Sequence, residues 1–219
     1  MRVFARFIES DSFQYRLDTL LQFRDSWDLI GNIVLANPGS AEPMDKDISK
    51  STLLDIERFW SKYGQNAKFY ANQWFEFKPD STMRCIEKLF SGFYTHGTRR
   101  QLNGVISLSN CFNARNQNLR KAIKNLDKYK RELAFTYQKI HFTKPVYFGF
   151  SQAVLENEKL RDIAKQIFDK TPQNLKSIYN KDFNKNKFYH LGYINRAYTN
   201  KAKQYTNEVL FKFVETLDG

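Results

Sequence analysis

Runs of apolar residues broken by polar turns divide the chain into a series of strands and helices. Val3 to Ile8 and Phe13 to Leu21 form a short N-terminal extended pair packed against the rest of the chain. The run Leu29-Ile-Gly-Asn-Ile-Val-Leu-Ala36 is a buried strand that stops abruptly at Asn37-Pro38-Gly39-Ser40. Residues 44 to 73 are polar and helix-like around Leu53 to Tyr63, a helical insertion. Met83, Ile86, Leu89, Phe90 and Phe93 recur at helical spacing behind the cap signals Asp80 and Ser81. A second strand, Gly104 to Ser109, is again followed by an asparagine, Asn110. A charged helix is expected over about 118–139, a third strand over Pro145 to Phe150, and a helix from Ser151-Gln-Ala to about Lys170. Lys187 to His190 is the fourth strand, and a closing helix runs from about Lys203 to Leu217.

Strands alternating with helices imply α/β architecture. The expectation is a three-layer α/β/α sandwich on a mostly parallel four-stranded sheet, with the N-terminal extended pair added. Residues 1–219 read as one domain, the insertion at about 44–73 included, because no repeat, low-complexity tract or linker interrupts them. At 219 residues the chain is long enough to bury a substantial core.

Composition narrows the function. Hydrophobic residues make up 42% and aromatics 16%, which argues against disorder. Lys and Arg total 35 against 23 Asp and Glu, a net charge of +12, so a polyanion is the expected partner, with nucleic acid the leading candidate. Arg120, Lys121, Lys124, Lys128, Lys130 and Arg131 face only Asp127 within one stretch. That stretch reads equally as a solvated face. Lys181, Lys185, Lys187, Arg196, Lys201 and Lys203 flank His190 and are opposed only by Asp182. No apolar stretch approaches the ~20 residues of a membrane span, and the first residues lack a signal-peptide core. A cytoplasmic protein is expected. Cys85 and Cys111 are too few for a disulfide framework or a four-cysteine zinc site, and His96, His141 and His190 lack ligand spacing. Neither a metal nor a cofactor is expected.

In such sheets ligands bind beyond the carboxyl ends of the strands. The residues there are Asn37-Pro38-Gly39, Asn110, Ser151-Gln152 and His190. Amides and imidazoles read the polar edge of a heterocycle, and paired carboxylates are missing from the set.

On these residues the chain resembles the uracil-DNA glycosylase superfamily. Ile33-Val-Leu-Ala-Asn37-Pro38-Gly39 is similar to the first catalytic motif in its Asn-Pro-Gly form, found in mismatch-specific and single-strand-selective members. Phe75-Glu-Phe-Lys-Pro79 resembles the segment with the base-stacking aromatic. Gly104 to Asn110 resembles the strand whose terminal Asn binds the base, with one extra residue between Gly and Asn. Val146 to Ala153 looks like the following strand. His190-Leu-Gly-Tyr-Ile194 resembles the second catalytic motif, with Leu191-Gly192 where many members carry Pro-Ser, and Tyr205-Thr-Asn-Glu208 echoes its closing helix. These segments run from residue 29 to 217.

The resemblance implies a monofunctional DNA glycosylase: a hydrolase that flips a nucleotide out of DNA and cleaves its N-glycosidic bond, leaving an abasic site. Asn37 then orients the attacking water. His190 donates to the base as negative charge develops. Asn110 reads the Watson–Crick edge, and Phe75 stacks on the base, with Trp74 and Phe77 as rivals. Pro38 and Gly39 complete the base pocket. Strict uracil enzymes of the superfamily place a bulky Tyr at the position of Gly39, so Gly39 implies tolerance of 5-substituted pyrimidines, hypermodified phage cytosine among them. Ile194 is the wedge filling the vacated stack, with Tyr193 competing. Arg196, Lys201 and Ser151 contact the DNA. The partner is DNA, in base-excision repair or antiviral defence, and the protein acts as a monomer. Two other classes remain open: a nucleic-acid binder that has lost the chemistry, and an enzyme acting on free nucleotides.

Overall fold

The computed structural model describes residues 1–63, 69–200 and 209–217. Six strands form one mixed sheet in the order β4-β1-β2-β5-β3-β6. They are β1 (Arg2–Ser10), β2 (Phe13–Phe23), β3 (Leu29–Leu35), β4 (Trp74–Phe77), β5 (Gly104–Asn110) and β6 (Val146–Phe148). The expected four-stranded sheet is therefore incomplete. The N-terminal pair is a hairpin built into the sheet, where β2 runs antiparallel to β5 and β1 antiparallel to β4. Its turn, Asp11-Ser12, has positive φ at both residues (52° and 63°), as a tight hairpin with right-twisted strands requires. Only β5, β3 and β6 are mutually parallel. Gly104 opens β5 at φ 138°, and a Cβ there would lie 2.5 Å from the Asp28 carbonyl oxygen.

Successive strand residues point to opposite faces, and the core divides accordingly. Val3, Ala5, Leu21, Ile33, Leu35, Ile106, Leu108 and Tyr147 face one side. There they meet α2 (Ser81–Phe90), α8 (Leu191–Thr199) and α9 (Phe211–Thr216). Phe4, Leu20, Leu29 and Val105 face the other side, against Ile56 and Phe59 of α1 (Lys50–Tyr63). Further along that side, Val34, Val146 and Phe148 pack on Leu160, Ile163, Ile167 and Phe168 of α7 (Glu158–Lys170). Within the segment expected as an insertion, α1 forms part of a layer: Ser49 Oγ caps it by accepting from the Thr52 N–H at 3.2 Å, and the helix covers the sheet.

Two expected elements differ. Lys187 to His190 is not a strand; Tyr147 Oη donates to the Tyr189 carbonyl at 2.8 Å, and the residues run straight into α8. The helix expected over 118–139 is broken into α4 (Leu119–Lys124), α5 (Arg131–Ala134) and a 3-10 turn at Tyr137–Lys139. Between α4 and α5, the Lys130 N–H donates to Tyr15 Oη at 2.9 Å rather than to a helical carbonyl. The six cations from Arg120 to Arg131 are all exposed but are spread over this broken path. Short helices α3 (Phe93–His96) and α6 (Gln152–Glu156) complete the set. Among the described residues no helix is long and apolar enough to cross a membrane.

Candidate active site

The parallel strands β5, β3 and β6 bring Asn110, the Asn37 turn and Ser151 to one edge of the sheet. Backbone bonds lock this edge. The Cys111 N–H donates to Leu35 O at 2.9 Å, Phe112 N–H to Ala36 O at 3.1 Å, and Asn116 N–H to Pro38 O at 3.2 Å.

Asn37 is anchored through its amide nitrogen. Nδ2 donates to the carbonyls of Pro38 and Asn116, each at 2.9 Å, with a longer contact of 3.4 Å to Ala114. Three carbonyls around one end of the amide determine its flip, since only the NH2 group can face them. Oδ1 is left as an acceptor with no partner among the described residues. An aspartate here would turn a carboxylate oxygen towards those carbonyls. Asn37→Asp is therefore expected to cost about 2 kcal/mol, read as a lower Tm in thermal denaturation; an unchanged Tm would show that the three-carbonyl cradle does not hold the side chain.

Gly39 adjoins a carboxylate that no motif marks as functional. Asp80 caps α2, Oδ1 accepting from the Met83 N–H at 2.9 Å, while Oδ2 lies 3.1 Å from where a Cβ on Gly39 would sit. The space opened by Gly39 is thus bounded by Asp80. Arg115 holds the next stretch of the turn, donating to the carbonyls of Ser40 (3.0 Å) and Ala41 (2.8 Å) and to Glu42 Oε1 (2.8 Å). Arg16 is 2% exposed, and its Nε and Nη1 have no partner among the described residues. Burial lowers its pKa to about 10, against the attraction of Asp80, so it stays charged at neutral pH.

Asn110 is 5% exposed, with Oδ1 buried and without a partner among the described residues. Ser151 precedes α6, and its Oγ is likewise buried without a partner. His190 caps α8: Nδ1 accepts the Gly192 N–H at 3.2 Å, which puts the ring proton of the neutral form on Nε2. Burial, and secondarily Arg196, hold its pKa below the usual imidazole value. The sequence-predicted residues Asn37, Gly39, Asn110, Ser151 and His190 all follow strands or cap helices, and of them Asn110 also lines a cleft on the α1 side of the sheet.

The remaining candidates divide. Phe75 is half-buried on β4, edge-on to Phe7 at 6.1 Å, and packs with the cluster that holds Leu191. Its rivals are committed elsewhere: Phe77 is fully buried, and Trp74 stacks on Phe69 on the opposite sheet face. Ile194 is 1% exposed and belongs to the core, so the wedge expectation fails for it in this conformation; helical periodicity turns Tyr193 outward instead, 38% exposed and stacked on Tyr189 at 6.3 Å. Arg196 is exposed on the same helix. Lys201, Lys203 and Tyr205 to Glu208 lie outside the described residues.

Asp80, Arg16 and Arg115 carry little signal in the sequence. Asp80 is visible there only as a cap, and the two arginines have no local motif. No group of three His, Cys, Asp or Glu side chains among the described residues is placed to hold a metal. No family model, curated protein or solved structure matches the chain.

Proposed function

We propose that the protein is a DNA glycosylase, of α/β/α three-layer design, that hydrolyses the N-glycosidic bond of a flipped pyrimidine. The reading rests above all on His190: its Nδ1 is occupied as an acceptor and its pKa is depressed, so a neutral imidazole offers Nε2–H to an anionic leaving group. A neutral donor suits this task because it does not demand a charged ring in a buried site. Asn37 Oδ1, held beyond the end of β3 next to Asn110, accepts from the attacking water and aims it at the sugar. An amide is too weak a base to take the proton, and Asp80 Oδ2, beside Gly39, supplies the carboxylate the turn itself lacks. That carboxylate also favours the positive charge that builds on the sugar. Asn110 Oδ1 accepts from the base edge. Tyr193 and Arg196 face the DNA from α8, and the net charge of +12 supports binding to the phosphate backbone.

The test is base excision from oligonucleotides carrying uracil, a thymine mismatch, hydroxymethylcytosine or glucosylated cytosine, followed by alkaline cleavage of abasic sites. Strand breakage at one of these bases is the expected result. Salt-dependent DNA binding without breakage at any of them would make the protein a binder and overturn the catalytic reading.

A further inference from the structure

A cleft reaches the end of β5, with Ser107, Ser109 and Asn110 in its lining. It measures about 770 Å³ and opens on the α1 side of the sheet, a size suited to a small organic ligand. Its walls are aromatic, with Trp60, Tyr63, Phe69 and Trp74 on one side and Phe142 on the other. Its floor is polar. Ser107 and Ser109 of β5 face it, and neither hydroxyl has a partner among the described residues.

Asp18 is the unusual member of the floor. Its carboxylate stands on β2 at φ 54°. The cause is a bulge: Phe4 pairs with Leu20 and Arg6 with Leu17, so Asp18 and Thr19 together oppose Ala5. Bulges re-aim side chains, and a non-glycine residue held at positive φ is a strain that the surrounding structure must stabilise. Arg6 holds one carboxylate oxygen, Oδ2, at 3.0 Å, and is itself fixed by Gln73 Oε1 at 2.6 and 3.1 Å. Asp18 Oδ1 has no hydrogen-bond partner among the described residues. Burial also raises the Asp18 pKa, with Arg6 and then Lys139 opposing. Two indole N–H groups in the walls, Trp60 Nε1 and Trp74 Nε1, are buried and likewise have no partner among the described residues.

We infer that this cleft, which shares Asn110 with the proposed base-reading edge but is not lined by Asn37, Gly39, Asp80 or His190, is a ligand site for a planar heterocycle with an amino-bearing edge, the chemistry of a guanine, adenine or cytosine nucleoside. The aromatic walls sandwich the ring, and Asp18 Oδ1 with the two serine hydroxyls accepts from its amino edge. The site does not depend on the protein releasing a base.

Titration with free guanosine, adenosine and cytidine, followed by tryptophan fluorescence and calorimetry on the whole chain, tests this. At least one nucleoside is expected to bind saturably, at micromolar to low millimolar concentration. Asp18→Asn should weaken it at least tenfold; asparagine tolerates positive φ, so the bulge survives. Ser109→Phe, which fills the floor and suits a strand, should abolish binding with Tm retained. The proposal is overturned if no nucleoside saturates the protein, or if both variants bind as the parent does.

Discussion

Phe168→Ala is expected to destabilise the protein by about 3–5 kcal/mol, a large share of the ~5–15 kcal/mol that holds a typical domain folded. Phe168 is fully buried on α7 at the centre of a ring cluster. Its centroid lies 5.1 Å from Phe148, 5.5 Å from Phe183, 5.8 Å from Phe188 and 5.9 Å from Tyr179. The Lys176 ammonium sits 3.9 Å from the ring centroid and bonds to the Phe168 carbonyl. Truncation therefore removes a ring, leaves a cavity among four others, and takes the π-face from a buried cation whose pKa burial already lowers. For a chain of this size the Tm should fall on the order of 10 °C. Phe75→Ala, at a half-buried position on the edge strand, should cost far less in the same urea or thermal titration. Equal losses for the two variants would contradict this ranking.

His190→Ala should lower the rate of base release by about 10²–10³-fold, the usual effect of removing one preplaced donor to a developing anion, while DNA affinity stays near that of the parent. Part of the effect of truncation is structural, because His190 also caps α8, a role worth ~1 kcal/mol. A pH profile separates the two. Protonation would place N–H on Nδ1 against the Gly192 N–H, so the folded protein resists it, in line with a folded pKa below the unfolded 6.5. The stability linked to this group is present above pH 6.5 and is lost as pH falls through the depressed folded value. Base release should accordingly stay level from pH 8 down past 6.5 and decline only below that. His190→Asn retains a helix cap and should restore Tm without restoring the rate in full. A parent profile that declines already between pH 8 and 7 would contradict a neutral His190.

The legible parts of the fold were those set by local patterning. The apolar run Leu29 to Ala36 could only be buried, and its stop at Asn37-Pro38 marked the turn that the structure cradles with three carbonyls. Asp80 and Ser81 announced α2, and Asp80 does cap it. The illegible parts were set by distant partners. Nothing near Lys130 signals that the distant Tyr15 hydroxyl will accept its N–H where the charged helix is interrupted. The hydrophobic pattern of Gly104 to Asn110 is silent on β5 lying between an antiparallel and a parallel neighbour. Lys187 to His190 had strand-like residues, yet it is the Tyr147 hydroxyl, not a strand ladder, that ties it to the sheet. Asp18 sits among other polar residues of β2 and carries no signal in the sequence, because the bulge that turns it into the cleft depends on the pairing of β1 with β2.

The most direct test of the central claim is chromatography and mass spectrometry of the products after incubating the protein with the modified oligonucleotides. The expected products are one free pyrimidine base for each abasic sugar in an otherwise uncut strand, strongly reduced for His190→Ala. Oligonucleotides recovered intact from stable complexes with the parent protein, with no free base, would contradict it.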